Sequence, residues 1–128
     1  MAAIISGPAQ LDWVAYVGDA NAETVWVSQP GGGPVSMLGA VVEAQVRVSA
    51  PDPVIALQAV VTIPDPLSGT FTIEWPGEEM RALVADLEQW VGVWDCQVTL
   101  PGADLPTTIL RGKFTAVHDV TRNEGVTL

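Results

Sequence analysis

Val41-Val42-Glu43-Ala44-Gln45-Val46-Arg47-Val48 holds the cleanest two-residue alternation in the chain. Val42, Ala44, Val46 and Val48 fall on one side, and Glu43, Gln45 and Arg47 on the other. Successive side chains of an extended backbone point to opposite faces, so this octet predicts a strand with one buried and one wet face. Pro51-Asp52-Pro53 ends it. Leu57, Ala59, Val61 and Ile63 form the next inward set, with Gln58 and Thr62 outside. Pro64-Asp65-Pro66-Leu67-Ser68-Gly69 reads as a turn. Phe71, Ile73 and Trp75 then alternate with Thr70, Thr72 and Glu74. Three segments of one period with short breaks predict antiparallel neighbours, because parallel neighbours need long crossovers.

Upstream, Leu11 to Val17 and Thr24 to Ser28 are strand candidates separated by the turn Gly18-Asp19-Ala20-Asn21. Pro30-Gly31-Gly32-Gly33-Pro34 predicts a floppy hairpin connection. Downstream, Trp94, Cys96, Val98 and Leu100 alternate with Asp95, Gln97 and Thr99. Pro101 to Pro106 is a turn, and Thr107 to Val120 predicts one strand kinked at Gly112. One stretch differs: Met80, Leu83, Val84, Leu87 and Trp90 line one face of a helix over residues 78–90. Glu78 and Glu79 suit its first turn, where the helix dipole favours carboxylates. About seven strands and one short helix, with turns every ~8–12 residues, predict a mainly β sandwich or barrel.

The chain has 128 residues, enough for one domain with a proper core. Its 48% hydrophobic and 16% charged composition excludes a disordered tail. Fifteen acidic residues against five basic ones give a net charge of −10, which argues against a nucleic-acid partner. The apolar runs are all short of a membrane span. Residues 1–8 lack the basic and apolar regions of a signal peptide, so folding in a reducing cytoplasm is expected. With Cys96 the one cysteine, no intrachain disulfide can form.

Candidate chemistry is sparse. Cys96 as a nucleophile would need His118, the one histidine, as its base; a small buried hydrophobe is the stronger reading. His118 itself reads as a partly buried strand histidine, with a pH-sensitive interface as the alternative. Asp12, Asp19 and Glu23 gather near one turn, yet without regular oxygen-ligand spacing they read as a solvated acidic face rather than a calcium site. Gly31-Gly32-Gly33 has no following Lys-Ser or Lys-Thr and is not a phosphate loop. No enzyme activity, cofactor or metal is therefore expected. Trp75, Trp90 and Trp94 are expected to clamp the helix to a sheet. Trp13 and Trp26 are either core residues or interface residues, and if exposed they mark a contact surface. Residues 1–10 are expected to form an N-terminal arm, 11–122 the sandwich and 123–128 a C-terminal tail. Ile4, Ile5, Val126 and Leu128 supply the arms with apolar anchors for neighbours.

The order of segments resembles a known group. Val35-Ser36-Met37-Leu38-Gly39-Ala40-Val41-Val42-Glu43-Ala44-Gln45-Val46-Arg47 resembles a strand of small tailed-phage structural proteins. Pro66-Leu67-Ser68-Gly69-Thr70-Phe71-Thr72-Ile73 resembles their next turn and strand, and Trp94-Asp95-Cys96-Gln97-Val98-Thr99 a later strand. Leu110 to Arg122, ending in Asp119-Val120-Thr121-Arg122, resembles their closing strand. Together these resemble the N-terminal domain of the phage baseplate upper protein family, from about Thr24 to Arg122. The resemblance implies an immunoglobulin-like antiparallel β-sandwich with one short helix. It also implies a virion structural role as an assembly or adaptor subunit of the tail baseplate or fibre attachment region. Capsid decoration, or a place in the neck, is the alternative. A carbohydrate- or surface-binding sandwich using Trp13 and Trp26 is a second alternative. The implied partners are other virion proteins, with a homo-oligomer or symmetric array within the particle.

Overall fold

The computed structural model describes residues 8–120. Its strands are β1 Ala9–Gln10, β2 Trp13–Tyr16, β3 Ala22–Trp26, β4 Val41–Arg47, β5 Leu57–Gln58, β6 Val60–Thr62, β7 Thr70–Glu74, β8 Gln89–Thr99 and β9 Thr107–Val117; α1 is Gly77–Val84. The larger sheet runs β1-β9-β8-β4-β5, with β2 also on β9, and the smaller runs β3-β7-β6. This is the immunoglobulin partition, a C-F-G sheet packed on a B-E-D sheet, with β5 extending the first. The fold is thus the expected mainly β sandwich with one short helix. Its pairings are antiparallel except at β1 and β2, which run parallel to β9.

Alternation builds the core. Ala44 and Val46, Phe71, Ile73 and Trp75, Trp94, Cys96 and Val98, and Phe114 and Ala116 are all buried between the sheets. Trp75 lies at its centre. Its ring meets Trp13 at 5.6 Å, Trp94 at 6.0 Å and Phe114 at 5.2 Å, each edge to face. That arrangement matches the positive ring edge to the negative ring face and adds about 0.5–1.5 kcal/mol per pair beyond area burial. Met80 and Val84 of α1 are also fully buried, which anchors the helix.

Several expectations are corrected. The strand expected over Leu57 to Ile63 is two strands: Leu57 pairs with Val46 in the larger sheet, and Val61 with Ile73 in the smaller. The chain changes sheets at Ala59, whose N–H donates to the Ala44 carbonyl at 2.9 Å. Both sheets share one core, so the inward phase survives the change of partner. The helix stops at Val84 rather than Trp90, with Ala85 at φ 48°. Trp90 instead pairs with Ala116 in β8, where the ladder satisfies its backbone, and Leu87 is left exposed in the turn. Val48 lies past the last β4 pair, Arg47 with Val93, and is exposed.

Gly112 is a point of close approach rather than a kink: a Cβ there would run into the Leu11 carbonyl. The irregularity in β9 falls at Ile109 instead, between the pairs Cys96–Leu110 and Gln97–Thr108, and the strand ends at Val117. The glycine-rich connection is tied rather than floppy. Gln29 N–H donates to the Gly33 carbonyl at 2.7 Å, and Gln29 Nε2 to the Pro34 carbonyl at 3.0 Å.

Candidate functional surfaces

Ile4, Ile5, Val126 and Leu128 lie outside the described residues. The two other candidate interface residues part company. Trp13 is 7% exposed and packs in the core, whereas Trp26 is 74% exposed at the end of β3. Sequence phase separates them. Trp13 alternates with Ala15 and Val17, which are buried, but Trp26 sits between Val25 and Val27, which face the core. Trp26 therefore points outward, opposite Thr70.

Trp26 belongs to one pole of the sandwich. Val27 N–H donates to the Gly69 carbonyl at 2.7 Å, and Met37 N–H to the Pro66 carbonyl at 2.6 Å, which brings the β3–β4 and β6–β7 connections together. Gly39 abuts Pro101, where a Cβ would stand 3.1 Å from Pro101 Cγ, so the β8–β9 hairpin joins the same pole. Leu38, Leu67 and Leu105 stand exposed on these connections, at 63%, 66% and 77%. Isolated exposed apolar residues are ordinary; here a tryptophan and three leucines are exposed at one pole. Sequence reasoning missed the leucines because each reads singly as a turn residue.

A second feature lies on the outer face of the larger sheet. Glu43, Gln45, Arg47, Asp52, Asp95 and Gln97 line a concavity of about 390 Å³. Arg47 organises it. Its Nη1 donates to the Asp52 carbonyl and its Nη2 to Gln45 Oε1, both at 2.9 Å, while Gln45 Nε2 donates to Gln58 Oε1 at 2.9 Å. Burial pushes the Asp95 carboxyl above the usual range, and the Arg47 charge partly opposes this. The network is mutually satisfied and presents a mixed-charge surface.

The remaining candidates fall apart in space. Cys96 is buried between Ala44 and Leu110, and burial, then the Asp95 charge, push its thiol up to about 12. His118 follows the far end of β9, eight residues past Leu110, or ~26 Å along an extended strand. Its Nδ1 sits 2.8 Å from the Asp119 carbonyl oxygen and 3.3 Å from the Asp119 carboxylate, which also lies 3.7 Å from Arg81. Cys96 and His118 therefore form no nucleophile–base pair. Asp12 is engaged locally: its carboxylate accepts from the Lys113 N–H at 2.9 Å and from Gln10 Nε2 at 3.3 Å. Those bonds hold its carboxyl below the usual range. Among the described residues no group of three or more His, Cys, Asp or Glu is placed to hold a metal, and no helix is long and apolar enough to cross a membrane.

Comparison with protein-family models finds no match, and comparison with curated proteins finds none either.

Proposed function

We propose that the chain is a structural subunit of a tailed-phage particle, an assembly or adaptor domain of the tail baseplate or fibre attachment region. The ordered set of segments resembling baseplate upper proteins carries this reading. Those segments fall on β4, β7, β8 and β9, the strands that supply ten of the 21 buried apolar residues among the described residues. The apolar pole of Trp26, Leu38, Leu67 and Leu105 supports it, since contact proteins place aromatic and aliphatic anchors on exposed loops. Capsid decoration or a neck position draws on the same features. Mass spectrometry of purified particles is the test: the chain is expected in stoichiometric ratio to tail proteins, and its absence from intact particles rejects the proposal.

A second reading rests on one observation. Trp26 lies across from Thr70, with Thr24 and Thr72 next along the same outer face, their hydroxyl oxygens 3.4 Å apart. An aromatic ring beside hydroxyls suits a sugar ring. Glycan binding lost in Trp26→Ala supports a carbohydrate-binding module, and glycan binding that survives it removes that reading.

A further inference from the structure

The outer face of the larger sheet has an apolar centre and an unusual charge balance. Backbone register sets its side chains in rows. Val14 lies beside Thr115 and Thr115 beside Val91; Tyr16 lies beside Val117; Lys113 lies beside Val93 and Val93 beside Arg47. The next row is Arg111, Asp95 and Gln45. Val14, Tyr16 and Val91 are exposed at 53%, 52% and 44%. Beside them a concavity of about 930 Å³ is lined by Val48, Val91, Val93, Arg47, Arg111 and Lys113.

Three of the chain's five basic residues, Arg47, Arg111 and Lys113, stand on this face. The carboxylates among them are Glu43, Asp95 and Asp12. The face is therefore close to neutral, and the net −10 of the chain lies elsewhere. Among the described residues Arg81 is the one basic side chain elsewhere, so two copies meeting through another surface bring carboxylates together with few cations to answer them. Meeting here, they bring apolar side chains together and cations within reach of carboxylates.

We propose that this face is a two-fold docking surface for a second copy of the chain, with Val91 and Val93 at its centre, Val14 at its edge, and Arg111 and Lys113 set against Glu43 and Asp95 of the other copy. A two-fold contact uses the same patch on both copies, and a face of balanced charge is self-complementary under that symmetry. Strands ~4.8 Å apart and about seven residues long give a face of roughly 20 by 25 Å. Both copies together then bury about 1,000 Å², the lower limit for a specific contact. The dimer is accordingly weak and dissociates on dilution. The inference does not depend on the particle role.

Sedimentation of the full chain tests it. The wild type is expected to be a dimer at about 100 µM and a monomer on ~100-fold dilution. Val91→Asp and Val14→Lys, placed on different strands, are each expected to weaken the dimer at least tenfold while circular dichroism stays unchanged. Arg111→Glu is expected to weaken it too, with dimerisation regained when Glu43→Arg is added. A wild type that stays monomeric at about 100 µM overturns the proposal. So does dimerisation that survives both Val91→Asp and Val14→Lys. If Val91→Asp lowers stability without changing the mass, and deletion of residues 1–7 does the same, the chain's own N-terminal segment covers the face and the proposal fails.

Discussion

The Trp94 indole nitrogen donates to the Leu11 carbonyl at 2.8 Å, joining residues 83 positions apart. This bond secures the segment between β1 and β2 to the aromatic core. Trp75, at the centre of that core, is its counterpart without a bond: its buried Nε1 has no hydrogen-bond partner among the described residues. Trp94→Phe is therefore expected to cost about 1–3 kcal/mol more than Trp75→Phe, because only the first breaks a hydrogen bond and leaves a carbonyl without its partner. Urea denaturation of both variants measures the difference.

The Leu11 carbonyl also faces Gly112, with no room for a Cβ between them. Gly112→Ala forces β2 away from β9 or bends β9. It is expected to cost about 1–3 kcal/mol or more, the range for overpacking. Gly31→Ala serves as the control, since Gly31 has open space around it, and its effect is expected within about 0.5 kcal/mol. Thermal denaturation of the pair decides the point.

Cys96 predicts an alkaline weakness. Its thiol moves from an ordinary 9.0 to about 12 on folding. Above pH 9 the unfolded chain loses this proton while the folded chain keeps it, so stability falls as pH rises. The slope approaches about 1.4 kcal/mol per pH unit through that window. Below pH 9 both states are protonated and the effect vanishes. Cys96→Ala is expected to flatten the alkaline slope in urea titrations at pH 8 to 11. In the wild type, a thiol reagent at pH 8 is expected to label Cys96 at the rate of unfolding.

Asp95 has the same direction of shift at the acid end. Burial raises its carboxyl above 3.8, with Arg47 opposing, so its ionised form is disfavoured in the folded state. Its stabilising influence is greatest when protonated, below 3.8, and is lost as pH rises through the folded value. Asp95→Asn is expected to raise stability at pH 7 by a few tenths of a kcal/mol after allowance for solvent screening, with the gain gone by about pH 3. Denaturation of both proteins across that range checks the sign.

Trp26 touches little of the core, so Trp26→Ala is expected to change stability by no more than about 0.5 kcal/mol. If the pole it belongs to is the contact surface, the same change is expected to abolish association with particles. A pull-down of the folded variant against purified particles reads the two effects apart.

The alternations at Val41–Arg47, Phe71–Trp75 and Trp94–Val98 could be read directly, because each strand buries one face and wets the other. Partner choice could not. Nothing in the local pattern of Trp13 to Val17 says that it joins β9, or that the join is parallel. The overlong helix has a physical source too. Trp90, Gly92, Trp94, Cys96 and Val98 alternate in steps of two, but Gly92 has no side chain to mark the phase. Its place is filled by the Trp90 ring, against which a Cβ on Gly92 would stand 2.5 Å away. The Met80–Leu87 spacing then extended the helical period past its end. Of the candidate surface, Trp26 was visible as a residue, and its phase between Val25 and Val27 marked it as outward. The pole around it depends on hydrogen bonds between distant turns.

The parallel join of β1 and β2 to β9 has a mechanical consequence. Ala9 sits beside Leu110, near where β9 begins, and Tyr16 beside Val117, where it finishes. The described chain therefore comes in at one end of this paired stretch of β9 and goes out at the other, roughly 23 Å apart for the seven extended steps from Leu110 to Val117. Tension drawn through those two points pulls along the strands. The hydrogen bonds from Ala9 to Tyr16 are then loaded together in shear, instead of being peeled open one by one, and the domain resists stretching as a link in a chain does.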